Sequence, residues 1–183
     1  HRFAQRCHQE RSSVVLPKNT VEGIRFLTPN YVSRTTVTTD LAFVAFTDDI
    51  WVVSVLASTM HRVWAEAISG GLGSGIRYSS LITYNAFPMP APTEQQKLDM
   101  VASAKAILLA REANFPASIA ELYNPEATMA EDLARAHDIN DEVIERIYIG
   151  RRFKNDTERL EKLFDLYTKM TAGQTKPKKG MAK

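Results

Sequence analysis

The stretch from Trp64 to Pro90, WAEAISGGLGSGIRYSSLITYNAFPMP, decides how the chain is organised. It starts inside a helical pattern, because apolar residues recur every three or four positions from about residue 53 to residue 68. The run Ser69–Gly75 is too rich in glycine for regular structure and ends that helix. Residues Ile76–Ala86 are predicted to form a strand. The order is therefore helix, glycine loop, strand.

Three prolines in five residues, Pro88, Pro90 and Pro92, mark a boundary between two units. Proline lacks a backbone donor and drives the preceding residue toward extended conformations, so this segment is a stiff connection. Before it, strand-like runs alternate with turn residues, at 14–16, 31–33 and 37–46. After it the pattern is entirely helical. We therefore expect an α+β fold, with a mixed α/β unit over residues 1–90 and a small all-α unit over residues 91–170.

Capping residues set the predicted helix starts in the second unit. Thr93 and Gln96 form a capping box that opens a helix to about Ala113. Further helices are predicted at 118–123, at 129–137 after a second capping box of Thr128 and Glu131, at 141–148 after Asn140, and from Asn155 or Asp156 to about residue 170. The last stretch, 171–183, carries four lysines with Gly and Pro and is expected to be disordered.

Length and composition are those of an ordinary globular protein, with 183 residues of which 44% are hydrophobic and 24% charged. No run of about 18 apolar residues occurs, so neither a transmembrane helix nor a membrane partner is expected. The single cysteine, Cys7, cannot form an internal disulfide, and we expect a cytoplasmic location. The chain opens at His1 without an initiator methionine, which suggests a piece of a longer protein.

Charge is distributed unevenly between the two units. Residues 1–90 carry 8 basic and 6 acidic groups, whereas residues 91–170 carry 11 and 15. The first unit is therefore the better candidate for contact with a polyanion.

No pattern in the chain is typical of an active site. Cys7 and His8 are adjacent, and the side chains of adjacent residues rarely point at one another; the four histidines lack the spacing of metal ligands. His61 lies beside an apolar helix face and is expected to be packed or hydrogen-bonded. Helix capping and solvation account for the carboxylates of the second unit. The sequence therefore predicts no catalytic residue and no metal site.

The glycine-rich loop has three interpretations. A phosphate-binding loop leads from a strand into a helix, whereas here a helix leads into the glycines, which disfavours a nucleotide site. The loop is either a simple helix cap and turn or a flexible segment that lets the backbone approach a large ligand. After it, strand alternation places Arg77, Ser79 and Leu81 on one face of the predicted strand.

The polar residues around this strand are compatible with DNA. Arginine suits bidentate contact with guanine or phosphate, and serine and asparagine suit phosphate or adenine. The run Thr35–Asp40 is either exposed β surface or a groove contact. Tyr84 and Asn85 either contribute to such a surface or stabilise the turn into the prolines.

The order of motifs in the stretch quoted above resembles the target-recognition region of MmeI-like adenine-specific DNA methyltransferases, which include single-chain restriction–modification enzymes. The residues that carry the likeness are Gly70-Gly71-Leu72, Arg77-Tyr78-Ser79 and Tyr84-Asn85-Ala86-Phe87-Pro88-Met89-Pro90. The second unit is similar through Leu109-Ala110-Arg111, Ala120-Glu121-Leu122-Tyr123-Asn124-Pro125, Met129 and Ala136-His137. The likeness extends over about residues 55–170.

The chain departs from the family pattern at four places. Glu121, Ala130 and Met89 replace Asp, Pro and Trp at positions without a catalytic role. The fourth is the loop before Arg77, where relatives carry side chains implicated in reading base pairs. Here that loop is Gly73-Ser74-Gly75, whose glycines offer no side-chain donors.

The resemblance implies a sequence-specific DNA-recognition fragment whose partners are double-stranded DNA and the remaining domains of a parent enzyme. The parent would use S-adenosylmethionine. This chain lacks the glycine-bearing cofactor loop and the Asn/Asp-Pro-Pro-Tyr motif for a flipped adenine, so we expect it to bind no cofactor and to be catalytically silent. The candidate DNA-binding residues are Arg77, Ser79, Ser80, Asn85, Gly73, Ser74, Gly75 and Thr38, with Arg62 and Arg34 as phosphate contacts.

A second function class stays open. The helical unit could instead dock a partner subunit, which would make the chain a protein-interaction module. The two classes differ in salt dependence, since the logarithm of duplex affinity falls with the logarithm of salt by about 0.9 per phosphate contacted.

Overall fold

The computed structural model describes residues 8–69, 71–72 and 75–172 of the chain. The first part contains strands β1 (Ser13–Pro17), β2 (Asn30–Val32) and β3 (Ala42–Phe46), then helices α1 (Trp51–Leu56) and α2 (Thr59–Ile68). Short strands β4 (Gly71–Leu72) and β5 (Gly75–Ile76) and a π-helical turn (Ser80–Tyr84) follow. The second part contains helices α3 (Glu94–Ala113), α4 (Ile119–Leu122), α5 (Glu131–Ile149) and α6 (Asp156–Ala172). The predicted α+β class is confirmed.

The main sheet is antiparallel, with β1 between β2 and β3. Val14 and Leu16 of β1 are fully buried, and Val14 lies opposite Ala45 of β3. Since alternate residues of a strand face one side, these two apolar residues direct one face of the sheet onto α1. β2 pairs through three residues only and forms one edge of the sheet.

The predicted helix over residues 53–68 is in fact two helices. Ser58 breaks the pattern because its hydroxyl accepts a hydrogen bond from the His61 amide and so caps α2. Asp141 of α5 accepts two further bonds at the same helix end, from the Thr59 amide (2.7 Å) and the Thr59 hydroxyl (2.5 Å). A side chain from the second part of the chain therefore completes a helix of the first.

The predicted strand Ile76–Ala86 is correct only at its start. Alternation holds from Ile76, which is buried, through Arg77, which is exposed, to Tyr78, which is buried. At Ser80 the backbone turns into a π-helix. The glycine-rich run is likewise more regular than predicted, because β4 and β5 form an antiparallel pair.

The second part confirms the first capping box and corrects other helix bounds. Thr93 and Gln96 cap α3 reciprocally, as predicted. The two helices predicted over 129–148 are one helix, α5, which begins at Glu131 after Ala130 rather than after a side-chain cap. Asn140 is buried within α5 instead of capping a helix. Residues 171 and 172 belong to α6, and residues 173–183 of the predicted tail lie outside the described residues.

Hydrophobic clusters join the two parts across the proline segment. In one of them, Val55 and Trp64 of the first part pack with Met100, Ile144 and Leu163 of the second. Asn140 adds polar contacts across the same boundary, donating to the Ser54 carbonyl at 2.9 Å and accepting from the Ser103 hydroxyl at 2.8 Å. The hydrophobic core is thus shared by the two parts. The domain boundary near residue 90 stays a prediction.

Candidate nucleic-acid interface

A short antiparallel pairing next to the main sheet positions Arg77. The amide of Tyr78 donates to the Lys18 carbonyl (2.7 Å), and the amide of Thr20 donates to the Ile76 carbonyl (3.1 Å). These bonds flank the Asn19–Arg77 bridge. In such a pair the two side chains leave the same face, with Cα atoms about 4.5 Å apart. Asn19 and Arg77 are both exposed, so an amide and a guanidinium stand side by side toward solvent.

Arg77 is available to a ligand. It forms no ion pair or side-chain hydrogen bond with any of the residues 8–69, 71–72 and 75–172 that the structure describes. The sequence prediction missed its neighbour Asn19. The only signal was a polar triplet, Lys18-Asn19-Thr20, that follows the apolar run of β1.

On the buried side of the Arg77 strand, aromatic residues hold the strand in place. The Tyr78 hydroxyl and His61 Nε2 lie 2.8 Å apart, which bears out the prediction of a hydrogen-bonded His61. Burial lowers the pKa of His61 to about 3 and raises the pKa of Tyr78. The pair is therefore neutral at physiological pH, and Arg77 is the charged group of this strand.

Gly75 has a packing role. A Cβ atom at this position would lie 2.2 Å from the backbone oxygen of Thr20, well inside van der Waals contact. The missing side chain thus lets β5 approach residues 18–20 of the same chain. This contact accounts for one of the two glycines in the Gly73-Ser74-Gly75 loop, and Gly73 and Ser74 lie outside the described residues.

Replacing Gly75 with Ala is expected to lower the free energy of unfolding by about 1–3 kcal/mol, since the added methyl group must displace the Thr20 backbone. Chemical denaturation followed by circular dichroism measures the change. Gly150→Ala is a useful comparison because no described atom lies within 4 Å of a Cβ there and the cost is the positive φ of 74° alone. A stability of Gly75→Ala equal to that of the wild type would contradict the close approach.

The π-helical turn after Arg77 is anchored by Thr83. The Thr83 carbonyl accepts from Trp64 Nε1 (3.1 Å), and its hydroxyl lies 2.6 Å from the Ser69 hydroxyl. Ser79 caps the turn, since its hydroxyl accepts from the Ile82 amide at 3.4 Å. Of the predicted contacts, Ser79 is thus engaged within the turn, whereas Ser80 and Asn85 are exposed.

Arg34 and Thr38 belong to a different loop, between β2 and β3. A turn at Ser33–Thr36 forms where the Thr36 amide donates to the Ser33 carbonyl at 3.0 Å. Arg34 is exposed on this turn, and Thr38 is half-buried. Among the described residues, no hydrogen bond or ion pair joins Arg34 or Thr38 to Arg77, so we treat them as a second group of candidate contacts.

Arg62, the other predicted phosphate contact, is already engaged by carboxylates of the same chain. Its guanidinium pairs with Glu66 (2.5 Å) and with Asp156 of α6 (2.8 Å), and only 14% of the side chain is exposed. Two carboxylates already neutralise this cation. Arg62 therefore ties α2 to α6.

The family-like residues of the second part meet in one buried chain of hydrogen bonds. Arg111 Nε donates to the Tyr123 hydroxyl (2.7 Å), which lies 2.7 Å from Nε2 of His137. Arg111 Nη1 also donates to the Pro29 carbonyl, immediately before β2. The His137 ring stacks on Phe26 with 3.9 Å between centroids.

This hydrogen-bonded group contacts both ends of the segment 26–29, which leads toward the Arg34 loop: His137 stacks on Phe26, and Arg111 binds the Pro29 carbonyl. Burial, reinforced by the nearby Arg111, lowers the pKa of His137 to about 3, so the imidazole stays neutral while it packs against Phe26. The motif residues of the helical part thus fix residues 26–29 of the first part.

Among the residues that the structure describes, no three His, Cys, Asp or Glu side chains come together as metal ligands. A search of the same residues finds no helix with the length and apolarity that a bilayer crossing needs.

The fold and its exposed strand are those of a target recognition domain joined to a helical C-terminal domain. Two family models match the chain: the MmeI target recognition domain over residues 1–91 and the MmeI C-terminal domain over residues 89–174. The chain belongs to the MmeI family.

A curated relative and a solved structure agree with this assignment. DNA methyltransferase A of Bacillus subtilis (strain 168) is 35% identical over 159 residues, which make up 87% of this chain and 18% of that protein. The Type IIL restriction-modification enzyme MmeI, solved in complex with DNA, matches with a TM-score of 0.85 and 30% identity over 90% of this chain. The chain spans 22% of that structure's length, so it corresponds to a small part of both relatives.

Proposed function

We propose that the chain recognises a specific sequence in double-stranded DNA on behalf of an adenine-N6 DNA methyltransferase of the restriction–modification type. The observation that carries the proposal is that Arg77 is exposed on a braced strand and has no ion pair among the residues that the structure describes. Arg77 lies in a stretch, residues 67–93, that contains no carboxylate and no other cation. A polyanion meets no like charge from this stretch.

The roles of the exposed groups follow from their chemistry. Arg77 and Asn19 present donors and an amide acceptor from one face, the groups that pair with guanine and adenine edges in the major groove. Arg34, on the separate loop, is suited to a backbone phosphate, which would set the register of the protein on the duplex. The chain itself would transfer no methyl group; the parent's other domains would bind S-adenosylmethionine and extrude the adenine.

Salt-dependent titration of labelled duplex tests this proposal. The logarithm of the affinity should fall linearly with the logarithm of the salt concentration, and Arg77→Ala should weaken binding to a selected site by about 5–150-fold, the loss of one bidentate base contact. Arg135→Ala is the matched control, because it removes another exposed arginine, from the helical part.

Two results would refute the proposal. One is an affinity for duplex that does not change with salt, and the other is an equal effect of Arg77→Ala and Arg135→Ala. Capture of a protein subunit without any duplex affinity would support the interaction-module alternative instead.

A further inference from the structure

The π-helical turn exposes two neighbouring aliphatic side chains. In a strand, Leu81 and Ile82 would face opposite sides, and one of them would be covered. Because the backbone turns at Ser80, both face outward, with 74% of Leu81 and 51% of Ile82 exposed. They follow Arg77 by four and five residues in the chain. The same short segment therefore carries an exposed apolar patch and the candidate base contact.

The turn holds this patch in place. Thr83 and Tyr84 form its inner side: Thr83 is fully buried and bonded to Trp64 and Ser69, and the Tyr84 ring lies 4.8 Å from that of Phe43. The Thr83 and Asn85 amides donate to the carbonyls of Ser79 (2.8 Å) and Ser80 (3.0 Å). With the inner side anchored in this way, the outward direction of Leu81 and Ile82 is built into the turn.

The charge of the segment that carries the patch favours one kind of partner. Residues 67–93 contain Arg77 and no carboxylate, so this segment itself brings no negative charge against a polyanion. In the major groove of a DNA duplex, the base-edge group that aliphatic side chains recognise is the 5-methyl group of thymine.

We propose that Leu81 and Ile82 contact the 5-methyl group of a thymine in the recognised DNA, so that a T·A pair is read by apolar contact beside the pair that Arg77 reads. The inference rests on the proposed DNA recognition. It assigns to this turn a specificity that polar contacts alone do not provide, because uracil presents the same hydrogen-bonding atoms as thymine.

Thymine-to-uracil replacement tests the methyl contact directly. Duplexes that bind the full chain are first selected from a random library, and each thymine of the selected site is then replaced in turn by deoxyuridine. At one position the replacement should weaken wild-type binding about fourfold, the effect of one buried methyl group. Leu81→Ser and Ile82→Ser should reduce that ratio toward one. Leu98→Ser, which alters a leucine of α3 with 62% exposure, should leave the ratio unchanged.

Each other result overturns the inference in a recognisable way. If no deoxyuridine position matters but Arg77→Ala still weakens binding, DNA recognition stands and the methyl contact fails. If the serine variants bind thymine and uracil duplexes with an unchanged ratio, another part of the chain reads the methyl group. If 2-aminopurine beside the site becomes fluorescent on binding, the two side chains act as a wedge between bases. If the library yields no bound duplex, the proposed function fails as well.

Discussion

Glu145→Gln should lower the free energy of unfolding by about 3–5 kcal/mol, the loss typical of a buried ion pair with one partner removed. Glu145 of α5 is fully buried, and one carboxylate oxygen accepts from Arg159 Nε (2.9 Å) and Nη2 (2.5 Å) of α6. The other accepts from the Phe153 amide at 2.8 Å. A glutamine amide keeps the shape of the side chain but turns donor atoms toward donors and leaves Arg159 without its buried counter-charge. Urea denaturation followed by circular dichroism gives the difference.

Glu142→Gln, three residues earlier in the same helix, is the control. Glu142 pairs with Arg146, but 39% and 63% of the two side chains are exposed, and solvent-screened pairs of this kind contribute less than about 1 kcal/mol. The expectation for Glu145 is wrong if the two variants unfold at the same denaturant concentration.

Trp64→Ala should cost about 3–5 kcal/mol of stability and should also weaken duplex binding. Trp64 is 1% exposed and packs against Phe164 and Tyr167 of α6, with centroids 5.6 and 5.5 Å away. Its removal leaves a large cavity in the core that the two parts share. The same change removes the indole donor that holds the Thr83 carbonyl, so the turn below Leu81 loses an anchor.

Trp64→Phe separates the two effects. It keeps an aromatic ring in the core but lacks the indole N–H, so its stability loss should be nearer the 1–3 kcal/mol of a buried acceptor left unpaired. Denaturation measures stability, and amide hydrogen exchange at Thr83 and Asn85 reports on the turn. Unchanged exchange in both variants would show that Trp64 does not anchor the turn.

The helical part was largely predictable because its signals are local. The Thr93 capping box and the Asn155 cap of α6, whose side chain accepts from the Glu158 amide at 3.0 Å, each lie within one turn of chain. The prediction failed where a distant contact decides. Asn140 is a favourable cap residue, yet it sits inside α5 because Ser54 and Ser103 satisfy its amide.

The candidate site shows the same division. Alternation correctly placed Arg77 and Tyr78 on opposite faces, since that pattern spans only a few residues. The pairing of Arg62 was only partly visible in the sequence, because Glu66 lies one helical turn away but its other partner, Asp156, lies 94 residues later. The π-helical turn at Ser80 could not be predicted from the sequence either, since the hydrogen bond that anchors Thr83 comes from Trp64, 19 residues earlier. Asn19 meets Arg77 only through strand pairing.

The Asp141 carboxylate that completes α2 has a consequence for engineering new specificities. In a chimera that exchanges only the segment before the prolines, the start of α2 would come from another protein, whereas Asp141 would stay the same. The hydrophobic clusters shared by the two parts would have to repack at the same time. Grafts should therefore carry residues 8–172 together, whereas single substitutions at the solvent-facing positions 19, 77, 81 and 82 can be made with the scaffold left intact.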